Sequence, residues 1–154
     1  MQPPSKGTGN LPEKSIQLSN GKTFTYWLNG KSYTTIKGPV AEHRGAHAEG
    51  SQTLAYAYAS HAEGRGTVAE GEQSHAGGLE TIAVRDNSTA IGQYNLPLEN
   101  GLFIIGNGEE GERKNAFVVY EDGHAEASSC TGNNGDNEVV TMGYLKNYLL
   151  DKEW

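Results

Sequence analysis

Alanine recurs at every seventh position through the middle of this chain, and no other feature constrains the fold as strongly. The recurring residues are Ala48, Ala55, Ala62, Ala69, Ala76, Ala83 and Ala90. Two positions before each of them stands Ala, Ser or Thr. Two positions after, glycine recurs as Gly50, Gly64, Gly71, Gly78 and Gly92, with Ala57 and Arg85 in its place in the other two copies. The unit is [AST]-x-A-x-G, and an internal repeat this regular predicts a repetitive architecture.

A period of seven is also typical of coiled coils, but the glycines argue against a helix. Each Gly inside a helix costs roughly 1 kcal/mol relative to Ala. The second apolar core position of a heptad is missing as well. The coiled-coil interpretation therefore fails.

Alternation within the unit predicts short strands, because the first, third and fifth side chains of a strand share one face. That face would carry only Ser or Thr, Ala and Gly, all of them small. A narrow all-β solenoid meets this requirement, with two short strands per 14-residue coil and coils spaced about 4.8 Å apart. Residues 46–95 would form about three and a half such coils.

Stacked coils would line up the larger side chains in two outward ladders. The histidine ladder contains His47, His61 and His75, followed two residues later by Glu49 and Glu63, and the aliphatic ladder contains Leu54, Val68 and Ile82. Burial favours the aliphatic ladder as an interface, at about 1.5–3 kcal/mol per side chain. The histidine ladder is favoured because the same residue recurs in all three copies, whereas the aliphatic position varies. We therefore expect the histidine ladder to lie at a subunit interface, with the residues His47, Glu49, His61, Glu63 and His75.

Composition limits what such a chain can do. It has 21 Gly but only 3 Phe, 2 Met and 2 Trp, so its core would be thin and its stability would depend on association. A net charge of −7 disfavours nucleic acid as a partner. No apolar run reaches the roughly 18 residues of a membrane span, and the N-terminus lacks the apolar core of a signal peptide. We therefore expect no membrane insertion, and delivery outside a cell only within a larger assembly.

The stretch SHAEGRGTVAEGEQSHAGGLETIAVRDNSTAIGQYN resembles the head repeats of trimeric autotransporter adhesins, the YadA-like heads. The resemblance spans residues 46–95, and the SHAEG variant is most similar to that of phage tail, tail-fibre and prophage structural proteins. It implies a left-handed parallel β-roll, three of which pack about a threefold axis as a homotrimer with the repeat strand facing that axis. Because a complete adhesin would also need a secretion signal and a membrane anchor, the resemblance favours a virion component or a fragment.

Five segments are expected along the chain. Asn29-Gly30 between strand-like runs predicts hairpins before the roll, and Met142, Leu145, Tyr148 and Leu149 recur at helical spacing near the end. The segments are a flexible N-terminus (1–14), β hairpins that cap the roll (15–41), the YadA-like β-roll (42–98), a β hairpin cap or neck (99–130), and a linker with a C-terminal helix that could begin a stalk (131–154).

The repeat, together with this resemblance, implies a structural and adhesive module: the trimeric head-like domain of a phage tail fibre or related attachment protein, located in the virion or at a cell surface. Its partners would be its own copies and a host-surface glycan or protein. The alternatives are a bacterial adhesin head fragment and, less favoured, a domain upstream of an autoproteolytic tail-spike chaperone. An acyltransferase β-helix is not favoured, because its repeat would have a period of six rather than seven. An ice-binding solenoid is not favoured either, because it would expose its threonines, whereas the repeat threonines are expected to face inward.

No enzyme activity, catalytic residue or cofactor is predicted. The repeat histidines stand fourteen positions apart, and no zinc motif, catalytic triad or phosphate-binding loop is present. A metal ion on the histidine ladder is not predicted either, because the repeat supplies no dedicated fourth ligand.

Overall fold

The computed structural model describes residues 13–27, 32–34, 37–128 and 142–151. The chain is nearly all-β, with 46% of residues in strands and 6% in a helix. The first strands are β1 (Glu13–Gln17), β2 (Thr23–Trp27), β3 (Ser32–Thr34), β4 (Val40–Ala41), β5 (His47–Ala48), β6 (Leu54–Ala55) and β7 (His61–Arg65). They are followed by β8 (Val68–Ala69), β9 (His75–Leu79), β10 (Ile82–Ala83), β11 (Thr89–Gln93), β12 (Gly101–Asn107), β13 (Asn115–Tyr120), β14 (Ala125–Ala127) and helix α1 (Met142–Leu150).

Residues from β4 to β12 wind into a β-solenoid of about five turns. One wall is a parallel four-stranded sheet in the order β10-β8-β6-β4. The other wall belongs to a seven-stranded sheet in the order β14-β13-β12-β11-β9-β7-β5. The roll is longer than the predicted three and a half coils because Val40 pairs with Leu54 at one end and Phe103 pairs with Thr89 at the other.

The interior of the roll is built from the repeat's small residues, as the alternation predicted. The alanines Ala55, Ala62, Ala69, Ala76, Ala83 and Ala90 form one buried cluster, closed at its end by Ile104 and Val118. Ala48, in the first turn, is partly buried and packs against this cluster. Two walls separated only by methyl groups leave no room for larger side chains.

The Ser or Thr two positions before a repeat alanine is also buried, and its hydroxyl donates to a backbone carbonyl three or four residues earlier in the chain. Ser60 donates to the carbonyl of Ala57 at 2.7 Å, and Thr67 donates to that of Glu63 at 3.1 Å. The same two patterns recur at Ser74, Ser88, Thr53 and Thr81. A buried hydroxyl is costly unless it is paired, so these bonds explain why the repeat accepts Ser and Thr in a dry interior.

The repeat glycines do not all lie on the inner face, which corrects the expectation from alternation. Gly50, Gly64, Gly78 and Gly92 are exposed and have φ between +93° and +111°, whereas Gly71 is buried at an ordinary φ. A Cβ built on Gly64 would overlap the carbonyl oxygen of Gly78 in the next turn, and the same overlap recurs along the column. Close backbone approach and a left-handed φ, rather than interior packing, therefore require glycine at these four positions.

The corners of the roll contain a second set of left-handed residues, one every seven positions. They are Gly45, Gln52, Ala59, Gly66, Gln73, Glu80, Asn87 and Tyr94, with φ between 42° and 73°. Only two of the eight are glycine. The sequence analysis treated these positions as turns without recognising their conformation, because the residue types share no pattern.

The N-terminal hairpins pack on a side of the roll, although we expected them to cover an end. Strands β1, β2 and β3 form an antiparallel sheet. Ile16 and Phe24 of this sheet, with Leu18 just after β1, form one buried cluster with the aliphatic ladder, whose Leu54, Val68 and Ile82 are fully buried. The aliphatic ladder is thus a core between this sheet and the roll, not an outward face, because the chain supplies its own apolar cover.

Two side chains close the far end of the roll. Asn95 follows Thr53, Thr67 and Thr81 in the repeat frame, and its side chain accepts from the Ile82 N–H at 2.7 Å and donates to the Ile82 carbonyl at 3.0 Å. It thereby takes the place of the next strand in the four-stranded sheet. Arg113, a buried side chain, donates to the carbonyls of Glu80 at 2.5 Å and Asn95 at 3.2 Å.

Beyond the roll, β12, β13 and β14 form an antiparallel meander that continues the larger sheet. Parallel pairing ends at β12, whose other neighbour β13 runs antiparallel to it. The roll begins at Val40, inside the segment expected to hold only hairpins. The predicted Asn29-Gly30 turn, the linker at 131–141 and most of the N-terminus at 1–12 lie outside the described residues.

Helix α1 begins close to the predicted position, and its Met142, Leu145, Tyr148 and Leu149 are exposed. Within the described residues, no helix has the length and apolar character needed to cross a membrane.

Candidate functional site

Parallel pairing brings the three repeat histidines into one column on the larger sheet. His47 on β5 lies opposite His61 on β7, and His61 lies opposite His75 on β9. The ring centroids are 4.9 Å apart at each step, with an interplanar angle of 45° for the first pair and 12° for the second. The stacking follows from the strand spacing, since side chains in register on adjacent strands are separated by about 4.8 Å.

Glutamates stand beside this column at the same spacing. Glu49 Oε1 lies 3.7 Å from His61 Nε2, and Glu63 Oε1 lies 3.2 Å from His75 Nε2. Each carboxylate therefore reaches the histidine of the next turn rather than the one in its own. The column of carboxylates ends there because Gly77 occupies the third position. We call His47, His61, His75, Glu49 and Glu63 together the histidine face.

The histidine face is partly open in a single chain. The side chains of His61 and His75 are 38% and 35% exposed, and those of Glu49 and Glu63 are 58% and 45% exposed. The aliphatic ladder, in contrast, is fully buried beneath β1 and β2. Of the two ladders predicted from the repeat, only the histidine face remains accessible to another molecule.

The two rungs of the histidine face differ although their sequences match. His75 Nε2 is within hydrogen-bond distance of Glu63. His61 Nε2 has almost no solvent-accessible area and forms no hydrogen bond within the described part of the chain. One ligand atom each from His47, Glu49 and His61 lie within 4.8 Å of one another, close enough to hold a metal ion. The sequence analysis drew no distinction between the two rungs, because side-chain rotamers are not visible in a sequence.

A second polar cluster lies at the β13–β14 turn, away from the histidine face. The His124 ring stacks on Tyr120 with centroids 4.3 Å apart, and Tyr120 donates to Glu126 Oε2 at 2.8 Å. Hydrogen bonds from the backbone N–H and the ring of His124 lower the pKa of Asp122. His124 Nδ1 faces Asp122 and His124 Nε2 faces Glu126. Because the two carboxylates contact different ring nitrogens, this cluster stabilises a turn and does not converge on one point.

No protein-family model matches the chain, and neither a curated protein nor a solved structure shows significant similarity to it.

Proposed function

We propose that this chain is a trimeric β-roll module of a surface-attachment protein, such as a phage tail fibre, that binds a component of a host surface. In the proposed assembly each roll is left-handed with 14-residue coils, and three rolls pack about a threefold axis through their histidine faces. The proposal assigns the chain a structural and adhesive role with no catalytic step. A bacterial adhesin head would share this architecture and differ only in its origin.

The observation that carries the proposal is that one of the two ladders is buried within the chain and the other is partly exposed. The chain covers its aliphatic ladder with its own Ile16, Leu18 and Phe24. It leaves the histidine face partly exposed, with three imidazoles in one column at 4.9 Å steps. A regular, partly exposed face on a thin roll is suited to cyclic packing against copies of itself.

Helix α1 provides separate support for assembly. Its Met142, Leu145 and Leu149 are exposed and lie three and four residues apart. A helix of this length is marginal alone in water. Three such helices could bury these side chains against one another at the start of a stalk.

Mass in solution is the direct test of the assembly. We expect sedimentation equilibrium to give three chains per particle, and a monomer at micromolar concentration would contradict the proposal. The variant His61→Glu places carboxylates where the three histidine faces meet, and we expect it to dissociate the trimer. The matched control is Gln73→Glu, which adds the same charge at an exposed corner and should leave the trimer intact.

Adhesion needs its own test, because a trimer could be purely structural. The purified protein would be applied to host-type glycans and to cell-surface protein extracts, each immobilised on a sensor. We expect saturable binding that depends on trimer formation and is lost in His61→Glu. Binding that is absent for both glycans and proteins would leave assembly as the chain's only role.

A further inference from the structure

The open rung of the histidine face has the chemistry of a metal site. His47 and His61 lie directly opposite each other on β5 and β7. Glu49 lies two residues beyond His47, so its side chain leaves the same face of the sheet. Two imidazole nitrogens and one carboxylate oxygen thus approach within 4.8 Å of one another.

The separation between Glu49 and His61 is unusual for a direct contact. At 3.7 Å, Glu49 Oε1 and His61 Nε2 are too far apart for a hydrogen bond. Two ligands bound at about 2.0–2.1 Å to a tetrahedral zinc ion stand roughly 3.3 Å apart. The observed gap is therefore too long for a hydrogen bond and a few tenths of an ångström longer than that edge.

The unpaired ring nitrogen of His61 is a second, independent indication that a ligand occupies the space between His61 and Glu49. Its Nε2 atom is shielded from solvent yet has no hydrogen-bond partner among the described residues. A buried polar atom without a partner costs free energy. On the neighbouring rung the equivalent nitrogen of His75 is already engaged by Glu63 at 3.2 Å, so the two rungs provide a built-in comparison.

We propose that His47, Glu49 and His61 of a single chain bind a divalent transition-metal ion of the zinc type. Imidazole and carboxylate ligands suit Zn²⁺, Ni²⁺ or Cu²⁺, whereas Ca²⁺ and Mg²⁺ prefer sites made only of oxygen. Three protein ligands leave a fourth position for water or for a donor group from another molecule. The site requires one chain only, so it does not depend on the trimer or on the adhesive role.

The test uses the full chain without a histidine tag, stripped of metal by a chelator. Zn²⁺ is titrated by calorimetry, and Co²⁺ is titrated by its visible absorption, which reports the coordination geometry directly. We expect one ion per chain with the spectrum of a four-coordinate site. No binding at micromolar metal would overturn the proposal. One ion per three chains would also overturn it, because the site would then lie on the symmetry axis.

Matched substitutions locate the ion. Glu49→Gln removes a ligand oxygen's charge with almost no change in shape, and we expect the affinity to fall more than about tenfold, since even outer-sphere partners contribute about 10–100-fold. Glu63→Gln makes the same change one turn further along the roll and should alter the affinity less than about twofold. Equal losses in both variants would contradict the assignment. Circular dichroism of each variant shows that the fold is retained.

Discussion

At the scale of single residues, backbone conformation sets the identity of the repeat positions more strictly than side-chain burial does. Four exposed glycines have a left-handed φ, and a Cβ on any of them would overlap a carbonyl oxygen of the next turn. Six of the eight corner residues share the left-handed φ and still carry side chains, from Ala59 to Tyr94. At the corner residue Gly66 a Cβ would meet only the side chain of Glu80. A rigid backbone atom at the Cβ position therefore requires glycine, whereas a left-handed φ alone does not.

Replacing Gly64 tests the requirement. In Gly64→Ala the new methyl group would meet the Gly78 carbonyl and would also adopt an unfavourable φ. We expect the free energy of unfolding to fall by roughly 3 kcal/mol or more, the sum of a left-handed alanine and an overpacked contact. Chemical denaturation measures this change. Gly111→Ala is the control, because Gly111 has φ +95° but nothing within 4 Å, and its cost should stay near ~1 kcal/mol.

The opposite substitution at a corner should stabilise the protein. Ala59 has φ 52° and is exposed, and the equivalent position one turn earlier is already Gly45. Ala59→Gly removes a left-handed strain of about 1–2 kcal/mol and adds about 0.5–1 kcal/mol of unfolded-state entropy. The net gain of roughly 0.5–1 kcal/mol should appear as a higher midpoint of thermal unfolding. A lower midpoint would show that Ala59 makes a contact that outweighs its strain.

At the scale of elements, each end of a parallel sheet leaves backbone groups that need partners. The four-stranded sheet ends at β10, where the Asn95 side chain supplies both the acceptor and the donor that another strand would have provided. Buried Arg113 ties this end to the β12–β13 connection. The four-stranded sheet thus ends at β10, because the Asn95 side chain makes the hydrogen bonds that the backbone of a further strand would make.

Removing that side chain tests its role. Asn95→Ala leaves the N–H and the carbonyl of Ile82 buried without partners, and we expect a loss of roughly 2–4 kcal/mol of stability. Asn115 makes the same pair of bonds to the backbone of Leu96, at 2.8 Å each, but at an exposed site. Because water can replace those bonds, Asn115→Ala should cost under about 1 kcal/mol. Similar losses in the two variants, measured in urea, would refute the capping role of Asn95.

At the scale of the whole molecule, one side of the roll is closed by the chain itself and another is left open. The closed side is apolar and is covered by β1 and β2. The open side carries the column of three histidines with two glutamates. Of the two ladders predicted from the repeat, the histidine face is the one left for contact with other copies of the chain.

The proposed trimer should loosen on acidification. Positive charge on the histidines would place like charges 4.9 Å apart within each column and across the symmetry axis. Glu49 and Glu63 offset part of this repulsion. Repulsion between the chains would oppose assembly, so we expect a weaker trimer at the lower pH.

Sedimentation velocity at about pH 7.5 and about pH 5 measures this effect. The wild-type trimer should dissociate at a higher protein concentration at the lower pH. The triple variant His47→Gln, His61→Gln and His75→Gln cannot be charged and should behave alike at both values. If the wild-type trimer is equally tight at both pH values, then either the histidines do not lie between the chains or the glutamates neutralise their charge completely.

The amino-acid sequence alone determined that the chain forms a repetitive β-solenoid, and it identified the alanines of the interior and the members of both ladders. These follow from local rules, since strand alternation and side-chain volume act over a few residues. Only the tertiary structure decided which ladder is covered, because that depends on contacts between Phe24 and residues some thirty to sixty positions away. It also decided that Asn95 ends the roll and that the rungs at His61 and His75 differ. Those outcomes depend on long-range packing and side-chain rotamers, which a repeated motif leaves open.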